Sequence, residues 1–149
     1  MFIVLIIFFI DRYSKVQILN NFSDNSTYFI NDFLNLNLVW NTGIGFGLLS
    51  FEGNLIYHLI TALIFGVIFY LIYLISILNS LQKIWLSIIL GGALGNLYDR
   101  CVFFAVPDFI DLHYNSFHWF TFNVADIFIT VGIILFLIFD IILKKNETY

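Results

Sequence analysis

From Leu55 to Leu78 the chain carries no charged residue, and only His58, Thr61 and Ser76 interrupt its apolar character. At about 1.5 Å of rise per residue, such a run is long enough to cross the roughly 30 Å hydrocarbon layer of a bilayer as a helix. Lipid offers no water to backbone N–H and C=O groups, and a helix satisfies them within one segment. The rest of the chain agrees: 61% of its 149 residues are hydrophobic and 11% are charged. A mean hydropathy of +0.97 is far above that of an ordinary soluble domain. An integral membrane protein is therefore expected. No composition shift, repeat or low-complexity linker divides residues 1–149, so they read as a single domain.

The net charge of −4 is spread over loops and ends, which excludes a nucleic-acid-binding surface. A single cysteine, Cys101, excludes an intramolecular disulfide. No CxxC and no His/Cys cluster at metal-ligand spacing occurs, so neither a metal nor an organic cofactor is expected. Cys101 itself reads as a small buried apolar residue.

Three further apolar segments are expected to be helices. The first runs from the N-terminus towards Leu19, because Met1 to Ile10 alone would cover about 15 Å. It carries Asp11 and Lys15 near its far end, four residues apart on one face. They read either as an internal pair reaching a polar partner or as an interfacial pair whose lysine snorkels to the headgroups. The lead-in ahead of Asp11 is short, which suggests that residues precede Met1. Asn79 to Lys83 is expected to be a turn, Ile84 to Val106 the third span, and Trp119 the point where a fourth enters the membrane and continues to about Leu143. Asp140 reads as the surface partner of Lys144, four residues on.

Between the first two spans lies a long polar connection, Asn20 to Gly53. Within it Leu34, Leu36, Leu38 and Trp40 alternate with other residues at period two, predicting a half-buried strand. The strand leads into NTGIGFG at Asn41 to Gly47, where a hairpin turn or a close backbone approach is expected. Glu52 and its aromatic neighbours suit the membrane surface. Lys83, Lys144 and Lys145 place the short loop and the tail in the cytoplasm by the excess of basic residues on that side.

Function is signalled by polar side chains placed inside these apolar segments, since an ionisable group in a membrane persists where it faces a protein interior or a watery cavity. Asn96, Asp99, Arg100, Asp108, Asn123 and Asp126 are such residues. On the third span Gly92, Asn96 and Arg100 recur every four residues on one face, while Gly91 and Gly95 form a small-residue row that allows a neighbouring helix to approach. Pro107 is expected to end that helix, leaving Asp108 at the break. The segment DLHYNSFH reads as a short loop with His113 and His118 at the interface. Asp126, seven residues past Trp119, is placed about 10 Å below the outer interface, with Asn123 and Thr130 on its face.

Asp108 and Asp126 are thus placed to meet. Two aspartates in a low-dielectric site share a proton, so one can take a proton from an attacking water while the other polarises a peptide carbonyl. Asn41, Asn96 and Asn123 would orient water, substrate or the acids, and Arg100 would hold loop carbonyls or a lipid phosphate. The same residues also fit a structural pair, with Asp126 bound to Arg100 or Lys15, or a proton relay in a small proton-coupled transporter or channel.

The blocks DRYSK (Asp11 to Lys15), NTGIGFG (Asn41 to Gly47), GGALGNLYDR (Gly91 to Arg100), VPDFID (Val106 to Asp111) and FNVAD (Phe122 to Asp126) occur in one order along the chain. In that order and spacing they resemble the bacterial lipoprotein signal peptidase family, signal peptidase II. The resemblance implies an all-α integral membrane fold of four transmembrane helices, with a small extracytoplasmic β-structure between helices 1 and 2. It implies a cofactor-free aspartyl endopeptidase, monomeric, in the bacterial cytoplasmic (inner) membrane, with both termini cytoplasmic and the active site near the outer face. Its substrates would be prolipoproteins whose cysteine already carries diacylglycerol, held in membrane lipid and cleaved just before that cysteine. By match to the motifs, Asp108 and Asp126 would be the catalytic pair. Asp11, Lys15, Asn41, Gly92, Asn96, Arg100, Asn123 and Ala125 would line or support the site.

Overall fold

The computed structural model describes residues 2–22, 27–43, 54–78, 80–115 and 117–147, without the side chains of residues 54, 56, 80 and 142–147. Four long helices dominate it: α1 (Phe2–Asn21), α2 (Asn54–Ile77), α3 (Ser80–Phe103) and α4 (Val124–Glu147). Between α1 and α2 lie strands β1 (Thr27–Asn31) and β2 (Leu34–Asn41), and between α3 and α4 lie β3 (Val106–Tyr114) and β4 (Phe117–Phe122). All four strands form one antiparallel sheet in the order β1-β2-β3-β4. Because β2 pairs with β3, the α1–α2 and α3–α4 connections meet at one end of the helices.

Helix α3 is the central element, packed against α1, α2 and α4. Val4, Ile68, Leu71, Leu86, Ile89, Leu90 and Leu97 form the core between helices, and Ile18, Leu38 and Phe109 a second cluster where α1 meets the sheet. Close helix approach depends on glycine. A Cβ on Gly91 would lie 2.6 Å from Ile7 Cβ, and one on Gly92 2.6 Å from the Ala125 carbonyl oxygen. Two stretches, Tyr57–Ile77 and Val124–Ile141, are long and apolar enough to cross a membrane, yet only 11% and 17% of them are buried. A soluble core helix would hide such a surface; here it faces outward, as lipid contact requires.

Several expectations are corrected. The chain is not all-α, and half of the sheet comes from between α3 and α4 rather than from between the first two helices. DLHYNSFH, expected as a loop, supplies the end of β3 and the start of β4. The third helix already begins at Ser80, inside the expected turn, and ends at Phe103, before Pro107. Phe104 follows in the left-handed region at φ 57°, a common way for a helix to stop. Pro107 disfavours helical geometry at Val106 and lies in β3. It is tolerated there because β3 pairs with β4 only from Ile110 onward, so at Pro107 one side of the strand needs no N–H.

Trp119 lies in β4, not in the fourth helix, so Asp126 is not two turns inside that helix below Trp119 but falls in the first turn of α4. Cys101 is exposed, not buried; it lies about 100° around α3 from the inward-facing Arg100. His113 is buried rather than interfacial. The expected pairing of Asp140 with Lys144, the remainder of the glycine-rich turn at residues 44–47, and the surface placement of Glu52 lie outside the described residues.

Candidate active site

The strand predicted around Leu34 to Trp40 forms, but its alternation breaks. Leu36 pairs with Ile110 and Val39 with Asp108, so β2 carries one more residue than β3 over that interval. This bulge shifts every later side chain by one position. Val39 and Trp40 become exposed and Asn41 becomes buried. The Asn41 Nδ2 donates to Asp108 Oδ2 at 2.8 Å, while its Oδ1 accepts the Gly43 N–H at 2.9 Å.

Helix α4 opens with reciprocal capping. Asn123 Oδ1 accepts the Asp126 N–H at 3.2 Å, and Asp126 Oδ2 accepts the Asn123 N–H at 3.3 Å, which satisfies N–H groups that a helix start leaves unpaired. The remaining Asn123 Nδ2 donates to Asp108 Oδ1 at 2.6 Å. From α1, Asp11 Oδ1 accepts the Ala125 N–H at 3.0 Å, so a carboxylate from another helix completes the cap at the positive end of the helix dipole.

On α3, Asn96 Nδ2 donates to Asp126 Oδ1 at 2.8 Å. Its Oδ1 accepts from Lys15 Nζ, also at 2.8 Å. Each of the three asparagines is thereby oriented by chemistry on its far side. Gly43 N–H, Asp126 N–H and the Lys15 ammonium are donors only, so each amide oxygen turns to them and each NH₂ turns to a carboxylate.

Lys15 is fully buried and uses all three of its protons, on Asp11 Oδ2 (2.8 Å), Asp99 Oδ2 (2.7 Å) and Asn96. Asp99 Oδ1 also accepts from Arg12, whose guanidinium lies over the Tyr98 ring at 4.8 Å from its centroid. Two cations and two carboxylates therefore neutralise one another, as burial of charge demands. Snorkelling of Lys15 is ruled out. A structural pair of Asp126 with Lys15 or Arg100 is likewise absent among the described residues.

Arg100 donates to the Gly43 carbonyl at 2.7 Å and more weakly to the Asn96 carbonyl at 3.4 Å. It thus holds a loop carbonyl, one of the two roles its position suggested. Gly92 admits the Ala125 carbonyl, and a Cβ on Gly95 would fall 2.4 Å from Asp11 Oδ2.

Asp108 and Asp126 line one cavity of about 450 Å³, together with Asn41, Asn96, Arg100 and Asn123. Away from these polar groups the wall is apolar, built from residues such as Leu63, Val67 and Leu71 of α2 and Ile129 and Ile133 of α4. Thr130, expected beside Asp126, lies on the same wall. Burial, reinforced by the nearby Asp126, pushes the Asp108 carboxyl up to about 7 against the pull of its Asn123 and Asn41 hydrogen bonds.

The ten residues that the motifs assigned to the site come together here, in the cavity or in direct contact with the groups that line it. Those not assigned a place were Arg12 and Asp99, which complete the buried charge cluster, and Tyr57, whose hydroxyl donates to the Arg100 carbonyl at 2.7 Å. Asp99 was marked by its charge inside an apolar helix, but its partners lie 84 and 87 residues away and carry no local signal. Tyr57 had none.

A family model described as Signal peptidase (SPase) II matches residues 3–142. A lipoprotein signal peptidase of Pelagibacter ubique (strain HTCC1062) is 45% identical over 148 residues, covering 98% of this chain and 89% of the relative. One of Anaplasma phagocytophilum (strain HZ) is 39% identical over 134 residues, covering 89% and 85%. A solved bacterial membrane enzyme, determined by the in meso method at 2.3 Å resolution, superposes with a TM-score of 0.80 at 27% identity, over 99% of this chain and 90% of its own. Matched along nearly its whole length by the family model and by these relatives, the chain belongs to the signal peptidase II family of membrane proteases.

Proposed function

We propose that this protein is an aspartyl endopeptidase that removes signal peptides from diacylglyceryl-modified prolipoproteins, with Asp108 and Asp126 as its catalytic pair. The observation that carries this reading is the shared cavity, which has two carboxylates and three oriented asparagines at one end and an apolar wall along the rest. An apolar signal segment or acyl chain fits the wall, and its scissile amide would then face the acids.

Asp108, with its carboxyl near 7, is the member that holds the proton. Asp126 acts as general base on a water that attacks the carbonyl carbon. Asp108 donates its proton to the developing oxyanion; as the tetrahedral intermediate collapses, the proton taken by Asp126 passes to the leaving amine and a hydroxyl of the intermediate returns a proton to Asp108, restoring the pair. No covalent intermediate forms. Asn96 and Asn123 keep the acids in register through this exchange, because their amide orientations are fixed from behind. Arg100, holding the Gly43 carbonyl, ties the loop after β2 to the rim of the site.

All four helices cross the bacterial inner membrane in this reading, with both termini cytoplasmic and the sheet outside as a single outer platform. A cysteine bearing diacylglycerol anchors its scissile bond close to the outer leaflet, and in this orientation Asp108, at the sheet end of the helices, would lie at that level. The test is cleavage of a diacylated precursor peptide in detergent, followed by gel shift. Asp108→Asn and Asp126→Asn should each abolish product while leaving the melting transition cooperative. Near-normal turnover by either variant removes that residue from the mechanism, and proton flux into liposomes without peptide product would favour a transporter instead.

A further inference from the structure

The sheet gathers a second polar cluster that the linear spacing concealed. Asp111 and His113 are two apart on β3 and so share a face, and both are buried. His118 on β4 lies opposite His113, and Asn35 on β2 lies opposite Asp111, which brings all four side chains to one face of three adjacent strands. Asp108 differs from Asp111 by an odd number of residues and faces the other way, so this cluster is separate from the cavity. Phe109 shares the cluster's face and packs with Ile18 and Leu38, which closes it towards α1.

One ligand atom each from Asp111, His113 and His118 lies within 4.8 Å of the other two. His118 Nδ1 is 2.7 Å from Asp111 Oδ2, and the two imidazoles stack with centroids 5.4 Å apart. Two further observations point to a missing partner. His113 Nδ1 and Asn35 Oδ1 are buried with no hydrogen-bond partner among the described residues, and each of the two residues is only 7% exposed. Leaving a buried donor or acceptor unsatisfied is costly, and two such atoms flanking a buried carboxylate call for a common ligand.

We propose that Asp111, His113 and His118, with the Asn35 amide oxygen beside them, bind one divalent transition-metal ion. Two imidazoles and a carboxylate are the donor set that zinc and its neighbours take, in preference to the all-oxygen shells of calcium or magnesium. Ligand atoms about 2.0–2.2 Å from a tetrahedral ion stand about 3.4 Å apart. That spacing lies between the 2.7 Å of the His118–Asp111 contact and the 4.8 Å that bounds the three atoms, and His118, with its side chain 56% exposed, has room to adjust. The ion would fasten β4 to β3 and β2, stiffening the hairpin that carries Asp108 at one end and leads into Asn123 at the other.

The test uses tag-free protein in detergent, stripped with chelator and titrated calorimetrically with ZnCl₂. One ion per chain is expected, with a rise in melting temperature on saturation. His118→Ala, at an exposed position that opens no core, should weaken binding by at least about tenfold and abolish the rise; Asp111→Asn should do the same. An absence of saturable binding up to about 1 mM Zn²⁺, or an affinity unchanged in His118→Ala, would overturn the proposal. Neither readout involves peptide cleavage, so the metal site stands or falls apart from the peptidase assignment.

Discussion

Replacing Lys15 by methionine keeps an unbranched side chain but removes the ammonium that three acceptors share. With Lys15 fully buried, Asp11 Oδ2, Asp99 Oδ2 and Asn96 Oδ1 all lose a donor at 2.7–2.8 Å, and the cluster goes from neutral to one uncompensated negative charge. Two estimates of the cost agree. Breaking a buried ion pair from one side costs about 3–5 kcal/mol. Neutralising one ordinary carboxyl at pH 7 instead costs about 4 kcal/mol, being three pH units at about 1.4 each.

At about 2–4 °C per kcal/mol for a chain of this size, Lys15→Met should melt roughly 8–16 °C lower at neutral pH. The deficit should shrink towards about 1.5 kcal/mol at pH 5, where that protonation becomes cheap. Adding Asp99→Asn, which removes the surplus charge, should cost less than the sum of the single changes. Activity should fall beyond what stability explains, because Asn96 is then free to turn its carbonyl to Asp126. Thermal melts at pH 5 and 7, with turnover measured well below the transition, check this. A loss under about 2 °C, or a double variant that is simply additive, would show that Lys15 is not holding a charge balance.

Other outcomes follow from single contacts. The Asp108 carboxyl, raised from about 3.9 unfolded to about 7 folded, binds an extra proton in the native state between those values; its stabilisation is full below pH 4 and lost as pH rises through 7, about 4 kcal/mol in all. The melting temperature of wild type relative to Asp108→Asn should therefore fall from pH 5 to pH 8, and a flat difference would refute the shift. With Asp108 as the proposed proton donor, peptide cleavage should likewise decline above about pH 7. Gly92→Ala should cost about 1–3 kcal/mol and disturb Asp126, since the Cβ meets a backbone carbonyl. Gly66→Ala, with nothing within 4 Å, should be stabilising by up to about 1 kcal/mol, and equal melts for the two would contradict the packing. Arg100→Lys keeps the charge but loses the forked grip on Gly43 and Asn96, so kcat/KM should fall about ten- to hundredfold in the precursor assay.

Much of the site was legible because its parts are costly in their surroundings. Asn96 and Asp126 stand in segments so apolar that only a polar interior explains them, and the four-residue step from Gly92 to Asn96 to Arg100 places them on one face without further information. The sheet was far less legible. DLHYNSFH has no sustained alternation, because the chain reverses at Asn115 in the left-handed region and the β3–β4 register shifts just beyond His118. Pro107 reads as a helix terminator when in fact it sits on the unpaired side of a strand. The burial of Asn41 could not be foreseen either, since a bulge in β2 reverses a period-two pattern that by itself would have put Asn41 on the other face.

What the chain's order of residues determined alone is its solvent and the chemistry available to it. Apolar runs of this length exclude water as their surroundings, and the scarcity of charge within them marks which side chains must be buried in protein. Tertiary structure decided how those side chains pair. Asp11, Lys15, Asn96, Asp99, Ala125 and Asp126 come from three helices, and the hydrogen bonds that join one helix to another among them span from 30 to 114 residues of sequence. A local pattern constrains which face of an element is inward; it cannot specify which inward faces meet, because that depends on glycines letting α1 and α4 close upon α3 and on the register that joins β2 to β3.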